Sequence, residues 1–145
     1  MIALINPKSA NWGFRVPNTV LTLGAFLEGK YDYHIADENM DPKMEQTIAG
    51  LIKNHGVKYI GFTVMPALQL QRAYSLSKFI KENYPEVKVF WGGYFSSLHP
   101  NTVLSSPYID YVFKGHAEFS IVDFFDSVTG KPGAKKLSEI EGLSF

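Results

Sequence analysis

Short runs of apolar residues alternate along the chain with longer segments in which apolar residues recur every three to four positions. The short runs predict buried strands and the longer segments predict amphipathic helices. Five strands are expected, at residues 2–6, 33–37, 59–64, 87–91 and 111–113. Helices are expected between and after them, at residues 17–28, 42–55, 68–84, 101–105 and 118–128.

Strict alternation of strand and helix predicts a parallel sheet with helices on both faces. We therefore expect a doubly wound, flavodoxin-like (Rossmann-like) α/β domain with a parallel five-stranded sheet in the order 2-1-3-4-5. The tail, residues 137–145, is expected to be either an edge strand or an ordered extension.

Two connections that leave strands are long. Residues 7–16 follow strand one and residues 92–100 follow strand four, whereas such loops usually span about 2–6 residues. The carboxyl ends of parallel strands meet at one edge of a sheet, and open α/β sheets bind ligands there. Because these loops are rich in glycine, apolar and aromatic residues, we expect a broad ligand with an apolar body and some polar edges.

Composition narrows the function classes. The 46% of apolar residues supports a packed core, and 14 basic residues balance 14 acidic ones, so no nucleic-acid partner is expected. No apolar run approaches the ~20 residues of a membrane span, and the first seven residues are no signal peptide. The chain has no cysteine, which excludes disulfides, thiolate metal sites and cysteine nucleophiles and fits a cytoplasmic protein.

No catalytic set is evident. A G-x-G-x-x-G motif, a P-loop and a Ser/His/Asp constellation are all missing. His34 and His55 are interpreted as structural. His99 and His116 lie in loops at the carboxyl edge, where contact with a ligand and a purely structural role are both open. No histidine spacing supports a metal site. Glu118 either interacts favourably with the dipole of the last helix, as an acidic residue at its start, or contacts a ligand.

Four segments together resemble the cobalamin-binding domain that precedes many radical-SAM domains. Each segment follows or forms a predicted strand, and their order and spacing are more specific than any one of them. They are Leu4-Ile5-Asn6-Pro7, Ile60-Gly61-Phe62-Thr63-Val64-Met65, Trp91-Gly92-Gly93-Tyr94 with His99-Pro100, and Ile109-Asp110-Tyr111-Val112-Phe113-Lys114-Gly115-His116-Ala117-Glu118.

The resemblance implies a site for cobalamin. It places Thr63 and Met65 near the buried nucleotide tail of the cofactor, the backbone of Gly92 and Gly93 against that tail, and the loop after strand one against the corrin ring. The cofactor-binding residues predicted in this way are Asn6, Pro7, Trp12, Arg15, Thr63, Val64, Met65, Gly92, Gly93, Tyr94, Gly115, His116 and Glu118.

The chain departs from related patterns at two points. Methionine-synthase-type modules carry a cobalt-ligating histidine after strand one, but residues 7–16 contain none. The resemblance therefore implies a cobalt without a histidine ligand from this loop, with Trp12 and Arg15 as candidates for the residues that face it. Radical-SAM chemistry needs three cysteines for an iron–sulfur cluster, and this chain has none.

We therefore expect a module that is not catalytic alone. Residues 1–130 would form the cobalamin-binding domain, and residues 131–145 an extension toward a covalently linked radical-SAM domain. The cluster and S-adenosylmethionine would bind only in that second domain. The resemblance implies a parent of the anaerobic magnesium-protoporphyrin IX monomethyl ester oxidative cyclase type or a methyltransferase.

Two other hypotheses remain open at this point. One is a flavodoxin-like protein-interaction or regulatory domain without cobalamin, whose aromatic loops contact another protein. The other is a small independent enzyme that uses a nucleotide or sugar-nucleotide, although the chain lacks a phosphate-binding glycine motif.

Overall fold

The structure is a computed structural model that describes residues 1–10 and 15–145. Its described strands are β1 (Ile2–Asn6), β2 (Tyr33–Asp37), β3 (Tyr59–Thr63), β4 (Lys88–Gly92), β5 (Tyr111–Phe113) and β6 (Leu143–Ser144). Its described helices are α1 (Asn18–Leu27), α2 (Met44–His55), α3 (Leu68–Asn83), α4 (Tyr94–Leu98), α5 (Pro100–Leu104) and α6 (Ser120–Val128), with a 3₁₀ turn at Leu137–Glu139.

The strands form one sheet in the order β2-β1-β3-β4-β5-β6. The first five are parallel, so the predicted order 2-1-3-4-5 is confirmed. Of the two expectations for the tail, the edge strand is confirmed, because β6 pairs antiparallel with β5. The predicted count of five parallel strands was therefore one too low, and the sheet is mixed. Ile140 anchors this tail, since its side chain is buried in the core next to the edge of the sheet.

Helices cover both faces, as expected of a doubly wound sheet. Alternate residues of each strand point to opposite faces, so Leu4 packs on the face of α1 and α6 and Ile5 on the face of α2 and α3. Residues 92–100, predicted as a long loop, contain the short helix α4. No helix among the described residues has the length and apolar content that a membrane crossing requires.

Candidate functional site

A cavity of about 300 Å³ lies between α1 and α6 on the face of the sheet that they cover. The rings of Phe90 and Phe113 contribute to its floor, Thr22 and Leu23 of α1 form part of one wall, and Ile121 of α6 forms part of the other. The cavity reaches the carboxyl edge of the sheet. We call it the α1/α6 cavity; its lining is mostly apolar, with polar groups concentrated toward the carboxyl edge.

Six of the predicted cofactor-binding residues line this cavity. They lie at or just after the carboxyl ends of β3, β4 and β5, and they meet because parallel strands end at the same edge of the sheet. The six are Thr63, Gly92, Gly93, Gly115, His116 and Glu118.

Glycines shape the floor and the upper end of the cavity. Gly61 has the Phe90 ring directly against it, since an added Cβ would lie 2.2 Å from two atoms of that ring. Gly93 has φ +90°, and its Cβ would lie 2.8 Å from the amide nitrogen of Val64. Gly93 is therefore required by the close passage of two backbone segments, which hydrogen bonds from Val64 N to Gly92 O and from Phe95 N to Val64 O hold together.

Glu118 brings a negative charge to the rim of the cavity. Its Oε1 lies 3.6 Å from Nδ1 of His116, which is 97% exposed. Its Oε2 is buried and has no hydrogen-bond partner among the described residues. Most buried polar atoms in proteins are paired, so this oxygen offers an acceptor to a molecule in the cavity.

A second set of polar groups joins the loops after β1 and β3. Gln69, buried on α3, donates from Nε2 to Asn6 Oδ1 at 2.9 Å and to the Pro7 carbonyl at 3.1 Å. Its Oε1 accepts a hydrogen bond from Met65 N at 2.9 Å. The side-chain amide nitrogen of Asn6, Nδ2, donates to Asp37 Oδ1. Asn6 and Pro7 are thus hydrogen-bonded to α3, on the opposite face of the sheet from α1 and α6. They do not line the α1/α6 cavity.

An ion pair holds the next residues of the same loop. Lys8 N donates to Glu38 Oε2 at 2.8 Å, and Nε of Arg72 donates to Glu38 Oε1 at 2.8 Å. The hydrogen bond with Glu38 raises the pKa of the Arg72 guanidinium, which stays charged. Gln69 and Arg72 are three residues apart and so share a face of α3.

Sequence reasoning did not identify Gln69. A signal was present, because Gln69 falls on the stripe of Ala73, Leu76 and Ile80, which is buried along its length. A polar residue at a core-facing helical position indicates a buried hydrogen-bonding role.

The remaining predicted residues lie around the cavity or away from it. Val64 is buried in the core, whereas Met65 and Tyr94 are exposed at the carboxyl edge. Arg15 is exposed near the start of α1, and Trp12 lies outside the described residues. Among the residues described, no three His, Asp or Glu side chains cluster closely enough to hold a metal ion.

Apolar side chains stand exposed on the same edge. Val16 follows the loop after β1, Met40 follows β2, Met65 follows β3, and Leu98 and Tyr94 follow β4. Large exposed apolar side chains that gather on one edge mark a contact surface for a ligand or another domain.

The chain resembles known cobalamin proteins in sequence and in fold. The family model described as B12 binding domain matches residues 16–124. No curated protein sequence matches the chain.

Two solved structures share the fold. The cobalamin-dependent S-adenosylmethionine radical enzyme OxsB, with aqua-cobalamin and S-adenosylmethionine bound, superposes with a TM-score of 0.85 at 19% identity, over 99% of this chain and 20% of that one. The radical S-adenosylmethionine methyltransferase TsrM from Kitasatospora setae, with tryptophan substrate and a SAM analogue bound, superposes with a TM-score of 0.81 at 16% identity. That match covers 98% of this chain and 28% of TsrM. The chain therefore spans only a minor part of the length of either neighbour.

Proposed function

The chain belongs to the B12-binding domain family, and from this premise we propose that it binds cobalamin at the carboxyl edge of its sheet. The nucleotide tail of the cofactor would enter the α1/α6 cavity, and the corrin ring would lie across the ends of the strands. The observation that carries the proposal is the cavity itself, because six residues predicted from sequence as cofactor contacts line it.

The residues present fit such a tail. The cavity volume of about 300 Å³ falls at the lower end of the ~300–1,000 Å³ typical of small-molecule sites. Phe90 and Phe113 offer aromatic surface to a flat base, and Gly61 leaves the space that the Phe90 ring occupies. Thr63 and Glu118 supply polar groups near the edge of the sheet, where the sugar of a tail would pass.

The exposed apolar edge fits the ring. Val16, Met65 and Tyr94 are exposed, and each lies within two residues along the chain of one that lines the cavity. The loop after β1, residues 7–16, would face the cobalt and contains no histidine, so we propose that Arg15 or Trp12 neighbours the metal instead. When bound, cobalamin supplies methyl-transfer or redox chemistry at cobalt, and the absence of an imidazole ligand would alter the electron density on that metal.

We propose further that the module serves a radical-SAM enzyme of the cyclase or methyltransferase type. The chain has no cysteine, so the iron–sulfur cluster and S-adenosylmethionine would bind in a covalently linked domain, reached through residues 131–145. Thiolate-held clusters suit a reducing compartment, and we therefore place the parent enzyme in the cytoplasm. A Cys-x-x-x-Cys-x-x-Cys motif encoded in the same reading frame would support this linkage.

A visible-absorption titration tests cobalamin binding. Hydroxocobalamin added to the purified chain should show the spectral shift of a displaced dimethylbenzimidazole base, because that base would leave cobalt for the cavity. No spectral change with folded protein at high ligand excess would contradict the proposal.

A matched pair of variants tests the location of the tail. Thr22 and Leu21 are both exposed on α1, but only Thr22 lines the cavity. Thr22→Trp should fill the cavity and weaken cobalamin binding at least about tenfold, the loss of one good contact. Leu21→Trp should bind like the unmodified chain. Equal affinities for the two variants would place the tail elsewhere.

A further inference from the structure

One carboxylate oxygen distinguishes itself from the other acidic groups of the molecule. Glu118 Oε2 is the one side-chain oxygen or nitrogen in residues 1–10 and 15–145 that is buried without a hydrogen-bond partner. Buried carboxylates elsewhere are paired: Glu38 accepts hydrogen bonds from Arg72 and the Lys8 amide, and Asp110 lies 2.6 Å from Lys81. The exception lies in the lining of the α1/α6 cavity.

The nearby helix does not explain this oxygen. Glu118 precedes α6, which begins at Ser120, but no side chain caps that helix. Among the described residues, the only basic side chain within 4 Å of the Glu118 carboxylate is that of His116, at 3.6 Å from Oε1 and 97% exposed to solvent. The other oxygen, Oε2, is therefore free to accept a hydrogen bond from a molecule inside the cavity.

From this geometry we infer that Glu118 accepts a hydrogen bond from a ribose hydroxyl of the cobalamin nucleotide tail, and that the chain thereby selects corrinoids that carry a tail. The inference rests on the proposed function. A carboxylate has no proton to donate when ionised, so its partner must be a donor. The phosphate of the tail carries negative charge and would be repelled, whereas a neutral hydroxyl is a suitable donor to a charged acceptor.

Two corrinoids separate the role of Glu118 from binding in general. Cobinamide keeps the corrin ring and lacks the nucleotide tail, so it cannot make the proposed hydrogen bond. We expect Glu118→Ala to weaken hydroxocobalamin binding about tenfold or more, the loss of one charge-assisted hydrogen bond. Its affinity for cobinamide should stay within about twofold of the unmodified chain, since no contact with the ring is removed.

Control variants keep the test interpretable. Asp123→Ala removes a carboxylate that belongs to α6 but pairs with Lys135 outside the cavity, and it should change neither affinity. Glu118→Gln keeps one acceptor oxygen without the charge, and it should weaken cobalamin binding less than Glu118→Ala does. If the alanine variant does not fold, as judged by circular dichroism, the glutamine variant must still weaken cobalamin and spare cobinamide.

The outcomes are distinct for the two proposals. An equal loss for both corrinoids, or no loss for cobalamin, would overturn the inference about Glu118 and leave cobalamin binding intact. Failure of the unmodified chain to bind either corrinoid would instead overturn the proposed function, and with it the premise of this inference.

Discussion

Replacement of Gln69 by leucine should destabilise the chain far more than the same change two residues later. Gln69 is 4% exposed and makes three hydrogen bonds, to Asn6 Oδ1, the Pro7 carbonyl and Met65 N. Gln69→Leu keeps the helix propensity and roughly the side-chain volume, but it removes all three of these hydrogen bonds. The groups left behind lie beneath the loops that form the carboxyl edge.

The magnitude follows from the number of bonds. Each neutral hydrogen bond contributes about 1 kcal/mol net, and an unpaired buried partner costs about 1–3 kcal/mol. The hydrogen bond from Met65 N is only partly buried, so water can reach that amide once the glutamine side chain is gone. We therefore expect a loss of about 3 kcal/mol in the free energy of unfolding, which corresponds to a decrease in Tm of roughly 6–12 °C for a chain of this size.

Urea unfolding followed by circular dichroism measures this loss. The control is Gln71→Leu, on the exposed side of the same helix, which should change stability by less than about 0.5 kcal/mol. The slope of free energy against urea should stay unchanged in both variants, because neither alters the surface exposed on unfolding. Similar losses for the two variants would refute the anchoring role of Gln69.

Two further predictions concern packing and acid stability. Gly61→Ala should lower the free energy of unfolding by about 1–3 kcal/mol, because the added Cβ would overlap the Phe90 ring. Gly50→Ala on α2 meets open space and should raise the free energy of unfolding by up to about 1 kcal/mol. Thermal melts in which Tm moves in the same direction for both variants would contradict this. Burial alone would raise the pKa of Asp110, but hydrogen bonds from Lys81, the Val89 amide and Lys88, together with the charge of Lys81, outweigh it and hold that pKa below its ordinary value. Asp110 therefore contributes stability above about pH 4 and loses it as the pH falls through the lowered pKa. The stability difference from Asp110→Asn should shrink in acid, and a difference independent of pH would count against the ion pair.

The fold was largely predictable because its signals are local. Each of the first five strands is a short apolar run, and each is followed by a helical pattern or a loop. For the tail, the sequence left an edge strand and an ordered extension both open, because the two residues of β6 are too few for periodicity to decide. Its pairing depends instead on the buried Ile140 and on Gly142, whose φ of +78° brings the chain against the Lys114 carbonyl.

The part of the cavity lining that lies at strand ends was predictable. Thr63 and Gly92 end β3 and β4, and Gly115 follows β5. A parallel sheet places such strand ends on one edge. The wall formed by α1 was not predicted, because a helical pattern does not reveal which of its residues border a gap in the packing. Gln69 was missed for a related reason, since its partners Asn6 and Met65 belong to loops whose paths are not local properties of the sequence.

A crystal structure of the chain grown with hydroxocobalamin would decide most directly where the cofactor sits. We predict the dimethylbenzimidazole base between α1 and α6, against Phe90 and Phe113, with the corrin ring over the ends of β1, β3 and β4. A base that remains on cobalt while the space between the two helices holds only water would contradict this arrangement.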